Sequence, residues 1–257
     1  MFGFGRRQPP PLDPRILVQQ QRPDLVYAIG DIHGCHQQLL ALESQIAEEI
    51  ASSGQTALVV YLGDLIDRGP DSFAVMSHLQ SRRPPFARLI LSGNHEEMFL
   101  DFLAAPSPRH VWLKHGGIET LRSYDLDADA LFDNGRAAAI QKLDRYIPPE
   151  HVAFLEKLPI CLALPGLTLV HAGLAENLPI ERQPPGEMMW RRLPVPAYSE
   201  PQPFGLLVHG HTPSKTPLIE PYRICIDTGA FATGILSAVA IDRENRPRIL
   251  NSHGCLS

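Results

Sequence analysis

The chain of 257 residues is 44% hydrophobic and 20% charged, enough length for one sizeable core and a balance that excludes a disordered chain, a fibre or a coiled coil. Its 23 Lys plus Arg stand against 28 Asp plus Glu, a formal charge of -5. No general cationic field is available to hold a nucleic acid or an anionic membrane surface, so neither partner is expected.

The opening residues carry Pro9, Pro10, Pro11 and Pro14 with two arginines, Arg6 and Arg7. They lack the apolar run of roughly 7–15 residues that marks a secretory segment, and no later stretch approaches the ~20 apolar residues of a membrane span. Residues 1–20 are expected to be a flexible proline-rich N-terminus, and 21–257 a single domain. Cys35, Cys161, Cys225 and Cys255 are far apart, with no C-x-x-C pair, which fits reduced thiols and a cytoplasmic location.

Three segments then share one grammar. LVYAIGDIHG, ALVVYLGDLIDRG and RLILSGNHEE each run Val, Ile, Leu and Tyr over a strand length and stop at a Gly followed by polar residues. Between the first two, Leu39, Leu42, Ile46 and Ile50 fall at helical spacing. Between the next two lies a second helix-like block, DSFAVMSHLQSR. Strand, helix, strand, helix, strand implies parallel pairing with right-handed crossovers.

From about residue 98 to 158 the pattern becomes helical, read as an insertion over one edge of the core. Later strand candidates, LTLVHAG, FGLLVHGHT, YRICIDTG, ILSAVAID and PRILNS, are joined mostly by Pro/Gly connections, so antiparallel pairing and a mixed sheet are expected there. The fold class is α/β.

The chemistry collects at strand ends. Asp31 and His33 follow the first strand, Asp64, Asp67 and Arg68 the second, and Asn94 and His95 the third. Each has a bland reading alone: a turn former, a surface ion pair, a core histidine. In an open α/β sheet, however, successive strand ends feed one crevice. Adding His171 and His211 from two later strand ends gives a mixed Asp/Asn/His set of the type that holds two divalent ions. His209, separated from His211 by one residue, is left out of that set.

GDIHG, GDLIDRG, GNHE, HAG and GHT, in this order from residue 30 to 212, resemble the calcineurin-like metallophosphoesterases, and the DRG resembles their phosphoprotein-phosphatase branch. WLKHGGIETLRSY and ICIDTGAFATG are also similar to segments of bacterial members. The resemblance implies a four-layer α/β/β/α sandwich of mixed sheets. It implies that Asp31 and His33 bind a first metal, that Asp64 bridges, and that Asn94, His171 and His211 hold a second.

The ions implied are manganese first, with iron, zinc or magnesium compatible with the donors. Such a pair acidifies a bridging water for in-line attack on phosphate. The resemblance also makes His95 the acid that protonates the leaving group, with Asp67 orienting it, and makes Arg68 and Arg192 phosphate clamps beside Asn94; Arg191 could serve in place of Arg192. The implied activity is a phosphomonoester hydrolase of the serine/threonine protein phosphatase kind, acting on a phosphorylated protein or small phosphoester. Its alternatives are a dinucleoside polyphosphate (diadenosine tetraphosphate) hydrolase and a non-catalytic scaffold. Asp227 and Gly229 are expected to pack behind the site, and the insertion to shape substrate choice.

Overall fold

The computed structural model describes residues 12–81 and 83–255. Its strands are β1 (Ile16–Val18), β2 (Leu25–Ile29), β3 (Ala57–Tyr61), β4 (Ala87–Ile90), β5 (Cys161–Leu164), β6 (Leu167–Val170), β7 (Leu206–His209), β8 (Leu218–Glu220), β9 (Arg223–Cys225), β10 (Ser237–Ile241), β11 (Pro247–Asn251) and β12 (Gly254–Cys255). The helices are α1 (His36–Ser53), α2 (Ser72–Ser81), α3 (Asn94–Ala104), α4 (Gly117–Ser123), α5 (Gly135–Tyr146), α6 (Pro149–Leu155), α7 (Pro185–Trp190) and α8 (Ala230–Thr233).

Two six-stranded mixed sheets form, in the orders β12-β11-β10-β2-β3-β4 and β1-β5-β6-β7-β9-β8. In the first, β2, β3 and β4 pair in parallel as the alternation of strands and helices predicts, while β10 lies antiparallel to β2. In the second, the expected antiparallel pairing is corrected in part: β6 with β7 and β7 with β9 are parallel, because each later strand re-enters from the same end after a long excursion. The tight Leu164-to-Leu167 connection makes β5 and β6 an antiparallel hairpin, and β8 and β9 also pair antiparallel.

The period of two along each strand divides the core. Val26 and Ala28 of β2 and Val60 of β3 face Leu162, Leu164, Leu167, Leu169, Val208 and Ile224 of the other sheet, so the two sheets pack face to face. Tyr27, Ile29, Val59 and Tyr61 face the opposite way and meet Leu39, Leu42 and Ile46 of α1 and Phe99 and Phe102 of α3. The outer face of the second sheet is covered thinly, by Met188 and Met189 of α7 and by loop residues such as Tyr198 and Phe204. That layer runs through Pro179, Pro184, Pro185, Pro194, Pro196, Pro201 and Pro203, where missing N–H groups prevent long helices.

The expected flexible N-terminus is described only in part. Residues 1–11 lie outside the described residues, while residues 12–20 contain β1, whose Ile16, Leu17 and Val18 pair in parallel with Cys161, Leu162 and Ala163. Cys35, Cys161 and Cys225 are buried and free. No described helix is long and apolar enough to cross a membrane.

Candidate metal centre

The loops after β2, β3, β4, β6 and β7 converge on one pocket. Their backbones bend sharply: His33, Asp64, Asp67, Arg68 and His211 all have positive φ, between 44° and 75°. Non-glycine residues take this region at a cost, and such strain gathers where surrounding structure must aim a side chain. Gly93 shows how tight the packing is. A Cβ there would lie 2.2 Å from Asp64 Oδ1 and 2.9 Å from His171 Nδ1, so only glycine lets the third loop approach the second.

Asp64 is the shared element. Its carboxylate belongs to two donor groups, one with His33 and His95 and one with His171 and His211. Asp64 Oδ2 lies 3.5 Å from His33 Nε2, and Asp64 Oδ1 lies 3.3 Å from His171 Nε2, so the two oxygens address different groups.

Tautomers are set from behind. His33 Nδ1 donates to the Ile66 carbonyl at 2.8 Å, and His171 Nδ1 donates to the Leu62 carbonyl at 2.9 Å, so both rings present a bare Nε2 to the pocket. His33 Nε2 is buried with no hydrogen-bond partner among the described residues. His171 Nε2 lies 2.9 Å from Asn94 Oδ1 and 3.1 Å from His211 Nδ1, and that nitrogen is itself 2.9 Å from Asn94 Oδ1. Lone pairs crowded together in this way fit cations, and the mix of carboxylate, amide and imidazole suits divalent ones.

The charges of His33 and His211 agree with that fit. Burial pushes the His33 imidazole down to about 3 and His211 down to about 4, keeping both neutral. Burial works to raise Asp64, yet His171, His95 and His33 hold its carboxyl well below the usual range. Asp31 goes the other way, pushed well up by burial and by the facing Asp227. Its two oxygens accept the His211 backbone N–H at 3.1 and 3.0 Å, and it is in neither three-residue donor group. His209 also lies in neither group; its Nδ1 meets the Gly210 carbonyl at 2.9 Å.

His95 occupies the edge of the first donor group. Its Nδ1 donates to Asp67 Oδ2 at 2.6 Å, and its Nε2 lies 3.0 Å from Arg68 Nη2. Burial would lower its pKa, but Asp64 and Asp67 outweigh this and hold it above the usual imidazole value. Arg191 is ion-paired to Glu187 and partly buried, whereas Arg192 is exposed and its charge reaches His211. Of the two arginines, Arg192 is the one free to turn toward the pocket.

The support that Trp112, Thr120 and Gly116 give the site escaped sequence reasoning. Asp67 also accepts the Trp112 Nε1–H at 2.8 Å on Oδ2 and the Thr120 hydroxyl at 2.6 Å on Oδ1. Gly116 accepts the Arg68 backbone N–H at 3.1 Å, and a Cβ on it would lie 2.6 Å from Arg68 Cγ. The insertion therefore braces Asp67, Arg68 and His95. The Gly116-Gly117 pair inside an otherwise helical pattern was the available signal of a close backbone approach. Glu96 is wholly buried and accepts the backbone N–H groups of Asp64, Leu65 and Gly93, each at 2.8 Å, tying the second loop to the third.

Two mixed sheets with a metal-suited pocket at the strand ends define the class. Residues 25–224 match the calcineurin-like phosphoesterase family model, and the chain belongs to that family of metal-dependent phosphoester hydrolases. It is similar to the asymmetrical bis(5'-nucleosyl)-tetraphosphatase PrpE of Halalkalibacterium halodurans, 27% identical over 82% of this chain and 87% of that one. It is also similar to serine/threonine-protein phosphatase 1 of Salmonella typhimurium, 38% identical over 110 residues that cover 42% of this chain and 47% of the relative. Among solved structures, that of a candidate diadenosine tetraphosphatase shares the fold, with a TM-score of 0.59 and 22% identity over 92% of this chain and 97% of that one.

Proposed function

We propose that this chain hydrolyses dinucleoside polyphosphates with two divalent ions, manganese foremost. The observation that carries the metal reading is the pair of donor groups sharing Asp64. Asp31, His33 and Asp64 would hold one ion, and Asp64, Asn94, His171 and His211 the other. When bound, the ions supply Lewis-acid activation of the attacking water and neutralise charge on the phosphate.

The protein's own groups do the rest. Arg68 and Arg192 bind phosphate oxygens through their planar forks, with Asn94 beside them. As Arg68 turns to the phosphate it releases His95 Nε2, 3.0 Å away, to face the leaving oxygen. His95 then gives a proton to that oxygen, while Asp67 on Nδ1 fixes the ring and stabilises its charged form.

The motif resemblance alone points to a phosphoprotein substrate. The relatives favour the dinucleotide instead, because the likeness to a tetraphosphatase runs through 82% of the chain, against 42% for the protein phosphatase. The higher identity of that shorter match keeps phosphoserine or phosphothreonine as the second reading. Manganese-loaded protein should turn over diadenosine tetraphosphate with a higher kcat/KM than a phosphoserine peptide. The reverse order would favour the second reading, and full activity in strong chelator would end the metal reading.

A further inference from the structure

At the mouth of this polar pocket stands an exposed phenyl ring. Phe231 lies on α8, a single turn between Gly229 and Gly234, both in left-handed backbone. Thr233 Oγ1 donates to the Thr228 carbonyl at 2.9 Å, and Thr228 Oγ1 donates to the Ile235 carbonyl at 2.8 Å, so the turn is pinned on both sides. Ala230 before it is buried, but Phe231 is 41% exposed and forms no part of the core clusters.

Its neighbours are site residues. The ring meets His33 edge to face, with centroids 5.5 Å apart and planes at 88°, and the Arg68 guanidinium carbon lies 5.0 Å from its centre. A phosphate held by Arg68 would thus carry its first nucleoside past the phenyl face. An apolar ring with no hydrogen-bonding atom is a poor partner for phosphate and a good one for the flat face of a base.

We propose that Phe231 is the stacking platform for the nucleobase next to the scissile phosphate, an inference that rests on the dinucleoside polyphosphate reading above. Stacking on a phenyl ring uses the π-face common to all bases, so the platform favours nucleotides over base-free phosphates without choosing strongly among bases. The competing role is positional: the ring could serve only to hold Arg68.

Direct titration of the manganese-loaded protein with AMP and with ribose 5-phosphate, which lacks only the base, separates the two roles. The wild type should bind AMP roughly tenfold to hundredfold more tightly. Phe231→Leu, which keeps apolar bulk without a ring, should abolish that preference and leave ribose 5-phosphate affinity unchanged; Phe231→Trp should retain it. Equal affinity for both ligands in the wild type overturns the proposal, as does an equal loss for both in Phe231→Leu, which would make Phe231 a positioning residue for Arg68. If the preference holds while diadenosine tetraphosphate is not turned over, the platform stands and the substrate reading falls.

Discussion

The donor residues and the brace behind His95 come from different parts of the fold. Asp64, His171, His211 and His33 sit on loops at strand ends and Asn94 opens α3 just after β4, positioned by two sheets that pack against each other. Besides the bond from His95, the Asp67 carboxylate accepts hydrogen bonds from Trp112 and Thr120 in the helical stretch between β4 and β5. In the proposed mechanism, metal binding and proton transfer thus lean on different substructures, and mutation should divide them.

The strand-end set is expected to give the largest effect. Asp64→Asn removes the group common to both donor sets, and its loss in kcat should exceed the roughly 10–100-fold that residues behind a metal ligand cost. Metal analysis should find the variant depleted; a full metal complement with near-normal turnover would break the account at its base.

His95→Ala tests the other half. With metal content intact, hydrolysis of an alkyl phosphate should fall ~10²–10⁴-fold, and that of p-nitrophenyl phosphate far less, since its leaving group needs little protonation. Matching losses on the two substrates would remove His95 as the acid.

Thr120→Val sharpens the comparison itself. It removes the hydroxyl that donates to the Asp67 carboxylate and accepts the Asp67 backbone N–H, and leaves a buried acceptor without that donor, a cost of about 1–3 kcal/mol in stability by denaturant unfolding. Activity should drop roughly 10–100-fold while the bound metal stays constant. A parallel fall in metal content would show that insertion and donor set cannot be separated.

The smallest effect lies away from both. Glu43, buried on α1, accepts the Tyr61 hydroxyl at 2.5 Å and meets His78 Nε2 at 2.7 Å. Burial works to raise its carboxyl, but the bonds from His78 and Tyr61 outweigh this and hold it below the usual value. Its folded pKa being depressed, its contribution is full above the unfolded value of ~4.5 and fades as pH falls through the folded pKa. Wild type should therefore lose Tm more steeply than Glu43→Gln across that acid window, with neutral-pH turnover alike; parallel Tm profiles would contradict the pairing.

The donor loops were legible because each joins a β-branched, apolar run to glycine and a polar cluster, and because consecutive parallel strands deliver their ends to one side. What the sequence hid has physical reasons. β1 and β8 are three residues long and β5 is four, too short for a periodic signal. The parallel pairing of β6, β7 and β9 depends on where long proline-rich connections re-enter, which local patterning does not encode. Trp112 and Thr120 read as ordinary members of a helical stretch, since their polar atoms gain meaning only when tertiary packing delivers Asp67, 45 residues from Trp112 and 53 from Thr120 in sequence. Asp227, expected behind the site, turns its carboxyl toward Asp31, and burial raises both.

Electron paramagnetic resonance of the manganese-loaded protein, with metal content measured on the same sample, addresses the shared carboxylate most directly. Two manganese ions per chain with an exchange-coupled signal, the coupling lost in Asp64→Asn, is the outcome this arrangement requires. A single ion per chain, or two with independent signals unaffected by that substitution, would contradict it.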